Sequence, residues 1–361
     1  MANIEILHCA ETIKGGVATY LRELLPLQAE TFGAETIAVI IPESQRAELS
    51  SLRGVKILSY RDTKNRALNS LSIAKLTADF LRTNTTKIVH IHSTFAGATL
   101  RPVIWILFRK LKVIYCPHGW AWDRPMSSWK RKLTIWIEKA LSLLCTRIIC
   151  ISQHEKNTAI KAGINEPKLS VVLNGMGCAP SPSTKKYSDW PESGIKLLFI
   201  GRFDNQKGVD IFCESLRRLK NIANGILVGD YVLGDSEHFE LPSNAKQLGW
   251  LNAEDLQDLY LTADILVVPS RWEGFGLVAV EAMRAGLPVI ASNVGGLTEV
   301  VEDNSTGVLI DPNNAQALVD AINSLSLESL KEMGRLGELR FKKHFTIQRV
   351  HNELLGIYIK L

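Results

Sequence analysis

Two acids, Glu273 and Glu281, stand eight positions apart in PSRWEGFGLVAVEAMRAGLPVIAS (269–292), around a turn that holds Gly274, Phe275 and Gly276. Bare glycines let backbone N–H groups at a helix N-terminus come close to an anion, so the turn has the composition of a phosphate cradle. Glu281 falls about one and a half turns into the helix expected to start near Leu277. There a carboxylate can accept two hydrogen bonds from a vicinal diol such as a ribose, while Glu273, on the turn itself, reaches toward a sugar hydroxyl. Taken singly, each Glu also fits a plainer role, an acid favoured by the helix dipole at the head of an amphipathic helix.

Three more loops carry residue types suited to the same ligand. GRFDNQKG (201–208) places Arg202 and Lys207 five residues apart between glycines. Two cations at a strand end can neutralise a pyrophosphate, Arg with a planar fork and Lys with a mobile point charge, and so stabilise a departing nucleoside diphosphate; a solvated basic turn is the alternative. In ETIKGGVATYL (11–21), Gly15 and Gly16 open a helix, although a tight turn needs glycine for steric reasons alone. In YCPHGWAW (115–122), His118 ends a strand beside a glycine, where it can contact a substrate hydroxyl or donate to a carbonyl. His90 and His92, in VHIHS, are read as alternating along a strand so that only one faces a cleft, and neither receives a catalytic role.

Such loops need strands to carry them. Short apolar runs recur as IEILHC (4–9), ETIAVII (35–41), KIVHIHS (87–93), KVIYCPHG (112–119) and RIICIS (147–152), with helix-length segments such as VATYLRELLPLQ (17–28) between them. A second series follows in KLLFIG (196–201), NGILVG (224–229), AKQLGW (245–250), ADILVVP (263–269) and PVIAS (288–292), with helices near 209–220, 254–261 and 277–286. The reading is an α/β chain of two Rossmann-like halves, each with a mostly parallel sheet. Residues 1–177 form the first domain, the polar CAPSPSTKKYSDWPESG (178–194) is the linker, and 195–344 form the second. Open parallel sheets bind ligands at the carboxyl ends of their strands, so two such rims facing each other make a cleft.

Composition agrees with two cores: 361 residues are too many for one average domain. The start, MANIEILHCA, lacks a signal peptide's basic head and long apolar stretch, and no apolar run reaches eighteen residues, which predicts a cytoplasmic protein. Six scattered cysteines without zinc spacing predict reduced thiols, no disulfide and no structural metal. Residues 1–180 carry 24 Lys and Arg against 13 Asp and Glu, net +11, and residues 181–361 carry 18 against 24, net −6. The basic half should attract an anionic partner.

The loops together resemble the retaining nucleotide-sugar glycosyltransferases of family 4, which have the GT-B fold. Glu273 to Glu281 matches that family's E-x7-E motif; EGFGL, EAM, AG-x-PVIAS and GG-x-x-E (295–299) match its wording around it. GRFDNQKG matches its phosphate-binding loop, VVLNG (171–175) its interdomain segment, KGG its N-terminal loop and CISQHEK (150–156) the strand ahead of the linker. The final segment looks like the helix, 345–361, that returns to the first domain, so the resemblance spans nearly the whole chain.

The resemblance implies that Arg202 and Lys207 hold the donor diphosphate, that Phe275, Gly276 and Leu277 help cradle it, that Glu281 binds the ribose, Glu273 the donor sugar, and His118 the sugar near the reaction centre. It also implies metal-independent transfer with no cofactor, a nucleotide-diphosphate sugar as co-substrate, and UDP-sugar in preference to GDP-sugar. Transfer would be a front-face displacement in which the leaving phosphate helps to deprotonate the acceptor. One stretch departs from the pattern: where the family often has G-x-G, this chain has LVGDYVLGDSEHFE (227–240), with an acid directly after Gly229.

Five of the eight tryptophans, Trp105, Trp120, Trp122, Trp129 and Trp136, fall close together among RKLK (109–112) and WKRK (129–132). Trp129, Leu133, Trp136, Ile137, Ala140, Leu141 and Leu144 follow helical spacing beside Lys130, Arg131, Lys132 and Lys139, which predicts an amphipathic helix packed on the sheet with a solvated basic face. The functional alternative is contact with an anionic membrane surface, since acceptors in much of the family are polyprenyl-diphosphate-linked glycans. The leading expectation is extension of a lipid-linked glycan in bacterial surface-polysaccharide assembly. Transfer to a small soluble acceptor and a non-catalytic nucleotide-sugar-binding subunit are the competing expectations. No recognition motif supports nucleic-acid binding, and no G-x-G-x-x-G follows the first strand as a dehydrogenase would need.

Overall fold

The computed structural model describes residues 2–181, 190–191, 193–231 and 240–361. Much of the expected linker (182–189 and 192) and of the departing stretch after Gly229 (232–239) lies outside the described residues. The chain divides into two compact units, Met1–Met176 with Ile347–Leu361, and Gly177–Thr346.

The first unit runs β1 (Asn3–Ala10), α1 (Gly16–Phe32), β2 (Ile37–Pro42), β3 (Lys56–Tyr60), α2 (Arg66–Thr83), β4 (Thr85–His92), α3 (Thr94–Leu107), β5 (Lys112–Cys116), α4 (Ser128–Ser142), β6 (Arg147–Cys150), α5 (Gln153–Lys161) and β7 (Leu169–Val171). Its seven strands are all parallel, in the order β3-β2-β1-β4-β5-β6-β7. Every residue of β2 is buried, as a strand covered by helices on both faces requires. The order reverses between β1 and β4, and there the two strands pair His8 with His90 and Ala10 with His92.

The second unit runs β8 (Ile195–Ile200), α6 (Val209–Arg218), β9 (Ala223–Val228), β10 (Ala245–Gln247), α7 (Ala253–Thr262), β11 (Ile265–Val268), α8 (Leu277–Arg284), β12 (Val289–Ser292), α9 (Leu297–Val300), β13 (Gly307–Ile310), α10 (Ala315–Ser324) and α11 (Leu327–His344). Its parallel sheet has the order β10-β9-β8-β11-β12-β13 and reverses between β8 and β11. A core of Leu197, Phe199, Phe212, Leu216, Val267 and Ile290 lies under α6 and α10. Phe345 is fully buried, with its ring edge-on to Phe275 at 5.9 Å. The last helix, α12 (Ile347–Ile359), then belongs to the first unit, where it packs on α1 and Arg349 donates to the Leu173 carbonyl at 2.5 Å.

Two expectations are corrected here. CISQHEK is not a strand: β6 ends at Cys150, and Ser152 caps α5 by accepting from the Glu155 N–H at 3.1 Å. Nor does the apolar stripe of α4 face the sheet. Trp129 and Trp136 are about two-thirds exposed and Leu133 about half, whereas the buried residues of the helix are Glu138 and Ser142. The reason is a buried charge pair: Arg101 of α3 donates to Glu138 at 2.7 Å, stacks on the Tyr115 ring and bonds the Gly97 carbonyl, while the Tyr115 hydroxyl also donates to Glu138. A charged Arg and Glu buried together must keep one another as partners, so they fix which side of α4 turns inward.

Candidate functional site

Two of the loops singled out in the sequence leave the second sheet at β8 and β11, on either side of its switch point, where open parallel sheets leave a crevice for ligands. The Lys207 ammonium and the Glu273 carboxylate form a largely buried ion pair across them. Ser270 donates more weakly to the same carboxylate, at 3.5 Å. Arg202 is exposed and turned onto Gln206 and Asp204, at 2.9 and 3.0 Å, and Asp204 in turn accepts the Lys207 backbone N–H. Arg271 bolts the loops together through Asp210 and the Asn205 carbonyl, and its own N–H meets the Gln206 carbonyl at 2.8 Å. Hydrogen bonding to Asp210 raises the Arg271 guanidinium above its usual range, so the bolt stays charged.

The glycines allow this closeness. A Cβ on Gly208 would stand 2.1 Å from the Pro269 carbonyl, and one on Gly295 would stand 2.0 Å from that of Glu273. Gly276 caps α8 in the left-handed region, φ 95°, so that Leu277 opens the helix beside Gly274. The Phe275 ring is buried against Phe345, which leaves only its backbone for a ligand. Glu281, half-buried on α8, accepts from the Tyr260 hydroxyl at 2.5 Å. Burial, together with the neighbouring carboxylate, pushes that hydroxyl well above its ordinary range, so it remains a donor and orients Glu281.

The first unit brings a different set to the carboxyl ends of β1, β4 and β5. Gly15, φ 76°, opens α1 with open space around its Cα, and Gly16 is its first residue. His118 sits in the left-handed region at φ 54°, a strained position for a residue with a Cβ. The Glu155 carboxylate secures the turn: one oxygen accepts the Gly119 N–H at 2.5 Å and the other the Ile151 N–H at 2.7 Å. The expectation for His90 and His92 is overturned, because residues two apart on a strand share a face. Their rings stack at 4.3 Å, and His92 Nδ1 lies 2.9 Å from His118 Nε2. Burial lowers His118 and His8 to about 4 and takes His90 and His92 well below the usual imidazole range.

Comparison with known proteins adds the family. The "Glycosyltransferase Family 4" profile matches residues 14–178 and "Glycosyl transferases group 1" matches residues 181–340. A protein of Klebsiella pneumoniae, described as an uncharacterized 41.2 kDa protein in the cps region, is 35% identical over 91% of this chain and 92% of its own. The chain belongs to the group 1 glycosyltransferases. An Escherichia coli relative of this glycosyltransferase, UDP-Gal:alpha-D-GlcNAc-diphosphoundecaprenol alpha-1,3-galactosyltransferase, is 29% identical over 76% of the chain and 75% of the relative. Among solved structures, Anabaena Alr3699/HepE in complex with UDP superposes with a TM-score of 0.82 at 19% identity, covering 99% and 100% of the two chains. The apo lipopolysaccharide outer core galactosyltransferase WaaB does so with 0.73 at 17%, covering 99% and 100%. The fold is therefore GT-B.

Three histidines of this glycosyltransferase, His8, His90 and His92, each have a ring nitrogen within 4.8 Å of the others. They are built for hydrogen bonding: His8 Nδ1 and His92 Nε2 are 2.9 Å apart, closer than the about 3.3 Å that two ligands of one tetrahedral zinc keep. Sequence reasoning passed over His8, Gln28, Glu155 and Tyr260. Only Glu155 carried a local signal, the Ser152-x-x-Glu155 spacing of a capping box.

Proposed function

We propose that this glycosyltransferase moves a hexose or N-acetylhexosamine, with retention at the anomeric carbon, from a UDP-sugar to a polyprenyl-diphosphate-linked glycan in bacterial surface-polysaccharide assembly. The observation that carries the reading is the Lys207–Glu273 pair at the switch point of the second sheet. Without a donor, the two charges satisfy one another. A diphosphate arriving at the loop offers Lys207 a stronger partner and frees Glu273 for a sugar hydroxyl, with Arg202 swinging from Asp204 as the second cation. Positive charge aimed at the departing diphosphate is worth most as the bond breaks, so Lys207 and Arg202 do the work a metal could do, and no cofactor is required. Glu281, held by Tyr260, receives the ribose.

The acceptor and its place rest on the relatives named above and on α4. Exposed Trp129, Leu133 and Trp136 beside Lys130, Arg131 and Lys132 suit the inner face of an anionic membrane, where a lipid-linked acceptor resides. Among the described residues no helix is long and apolar enough to cross a membrane.

The test is thermal stabilisation by UDP, GDP, dTDP, CMP and ADP, followed by transfer assays with and without EDTA. UDP should stabilise the parent and fail to stabilise Glu281→Ala, whereas Lys207→Ala should lower turnover about 10²–10³-fold. Proton NMR of the product reads retention. Equal transfer by both variants and the parent would remove the site assignment, and loss of activity in EDTA would remove the metal-independent step.

A further inference from the structure

Behind His118, the residue that the family resemblance puts near the donor sugar, the first unit holds a line of side chains to which neither that resemblance nor the proposed function gives a role. Gln28 of α1, His8 of β1, His92 of β4 and His118 after β5 are joined end to end. Gln28 Oε1 lies 2.8 Å from His8 Nε2, His8 Nδ1 2.9 Å from His92 Nε2, and His92 Nδ1 2.9 Å from His118 Nε2. The first three are fully buried, and His118 is partly exposed at the rim. With Gln28 Oε1 turned to His8, the direction of every bond follows. A carboxamide oxygen only accepts, so His8 Nε2 carries the proton and its Nδ1 is bare. His92 Nε2 must then donate to His8, which leaves His92 Nδ1 to accept from His118 Nε2–H. In this placement the Gln28 amide N–H points at the Tyr358 hydroxyl, 3.4 Å away on α12.

We infer that Gln28, His8 and His92 are positioning residues that hold His118 in its Nε2-protonated form, so that its bare Nδ1 accepts a hydrogen bond from a hydroxyl of the donor sugar and repels phosphate oxygens. The inference rests on the nucleotide-sugar reading above for its ligand, but not for the chain itself. His118 Nδ1 has no partner among the described residues, which leaves it available to a ligand. Burial keeps the rings uncharged, so the tautomer rather than a positive charge decides what His118 can bind. The Tyr358 hydroxyl, which accepts the Gln28 amide N–H, also lies 2.8 Å from His90 Nδ1, while His90 Nε2 is buried with no hydrogen-bond partner among the described residues.

The chain is tested first on the unsubstituted protein. With ¹⁵N-labelled histidine, long-range proton–nitrogen spectra at pH 7 should show His118, His92 and His8 neutral and protonated on Nε2. Protonation of His118 on Nδ1, or a charged His118, overturns the inference without any variant having to fold. The role is then read from His92→Phe, which keeps the stacked ring and deletes both nitrogens, with UDP, UDP-glucose and UDP-galactose as the probes. UDP should bind as to the parent, while the advantage of the better UDP-sugar over UDP falls about three- to tenfold, the range one hydrogen bond supports. His92→Gln, whose amide supplies one donor and one acceptor, should recover part of that ratio. A merely structural role would weaken UDP and UDP-sugar alike in both variants, and that pattern overturns the inference. Failure of every nucleotide to bind the parent would instead count against the nucleotide-sugar reading, with the spectra still deciding the chain.

Discussion

Burial removes the rings of His8, His90 and His92 from water, and an imidazolium loses more by that than a neutral imidazole does. His8 and His118 titrate near 4 in the native chain, against about 6.5 when unfolded. Below pH 6.5 the unfolded chain therefore binds protons that the native one does not. The stability these rings contribute is complete above pH 6.5 and is lost as the pH falls toward 4, by up to about 1.4 kcal/mol per pH unit for each ring. Urea unfolding of the parent at pH 7 and pH 5 should show that loss, and His8→Gln should lose less by about one ring's share. Identical pH dependence in the two would show that His8 is not held neutral. The donor-loop residues were legible because Arg202, Lys207, Glu273 and Glu281 lie within short segments whose spacing carries its own pattern. The histidine line was not, since His118, at a strand end beside a glycine, carried a local signal, while Gln28 and His8 come from two other elements and carried none. His90 and His92 were readable, for a pleated strand puts residues two apart on the same face, and taking them as alternating hid the cluster.

At the scale of elements, α4 turns ordinary helix burial around, with a buried carboxylate on the inner side and tryptophans on the outer. The heptad-like apolar spacing was visible in the sequence, but which face turns inward was not, because it depends on Arg101 of another helix. Each exposed indole that enters an interface removes on the order of 100 Å² from water, about 2.5 kcal/mol. Trp129→Ser with Trp136→Ser should therefore weaken flotation with anionic vesicles at least about tenfold while leaving the unfolding temperature unchanged, because neither ring supports the core. Unchanged vesicle binding would leave α4 without a membrane role. The strand series was legible wherever runs were long and apolar, as in β1 and β4. Short or polar strands such as β3 (KILSY) and β7 (LSV) gave too little pattern to separate them from loop.

At the scale of the whole chain, the division crosses the sequence twice, so residues far apart in number share one core. Val350 and Leu354 of α12 are fully buried, Thr31 of α1 meets His351 at 2.8 Å, and Tyr358 touches both Gln28 and His90. The last helix is thus a structural part of the first unit, although more than 160 residues of the second unit precede it. Removing a fully buried leucine costs about 2–5 kcal/mol through lost burial and the cavity left behind. Leu354→Ala should accordingly raise amide hydrogen exchange in α1, β1 and β4, on the other side of the chain in sequence. It should leave β8, β9 and β11 as protected as in the parent, and Phe212→Ala should do the reverse, its ring lying in the core beneath α6. If Leu354→Ala loosened β8 and β11 as much as β1 and β4, the chain would have to unfold as one cooperative body, and the His8–His92–His118 line would depend on the second unit's core as well as its own.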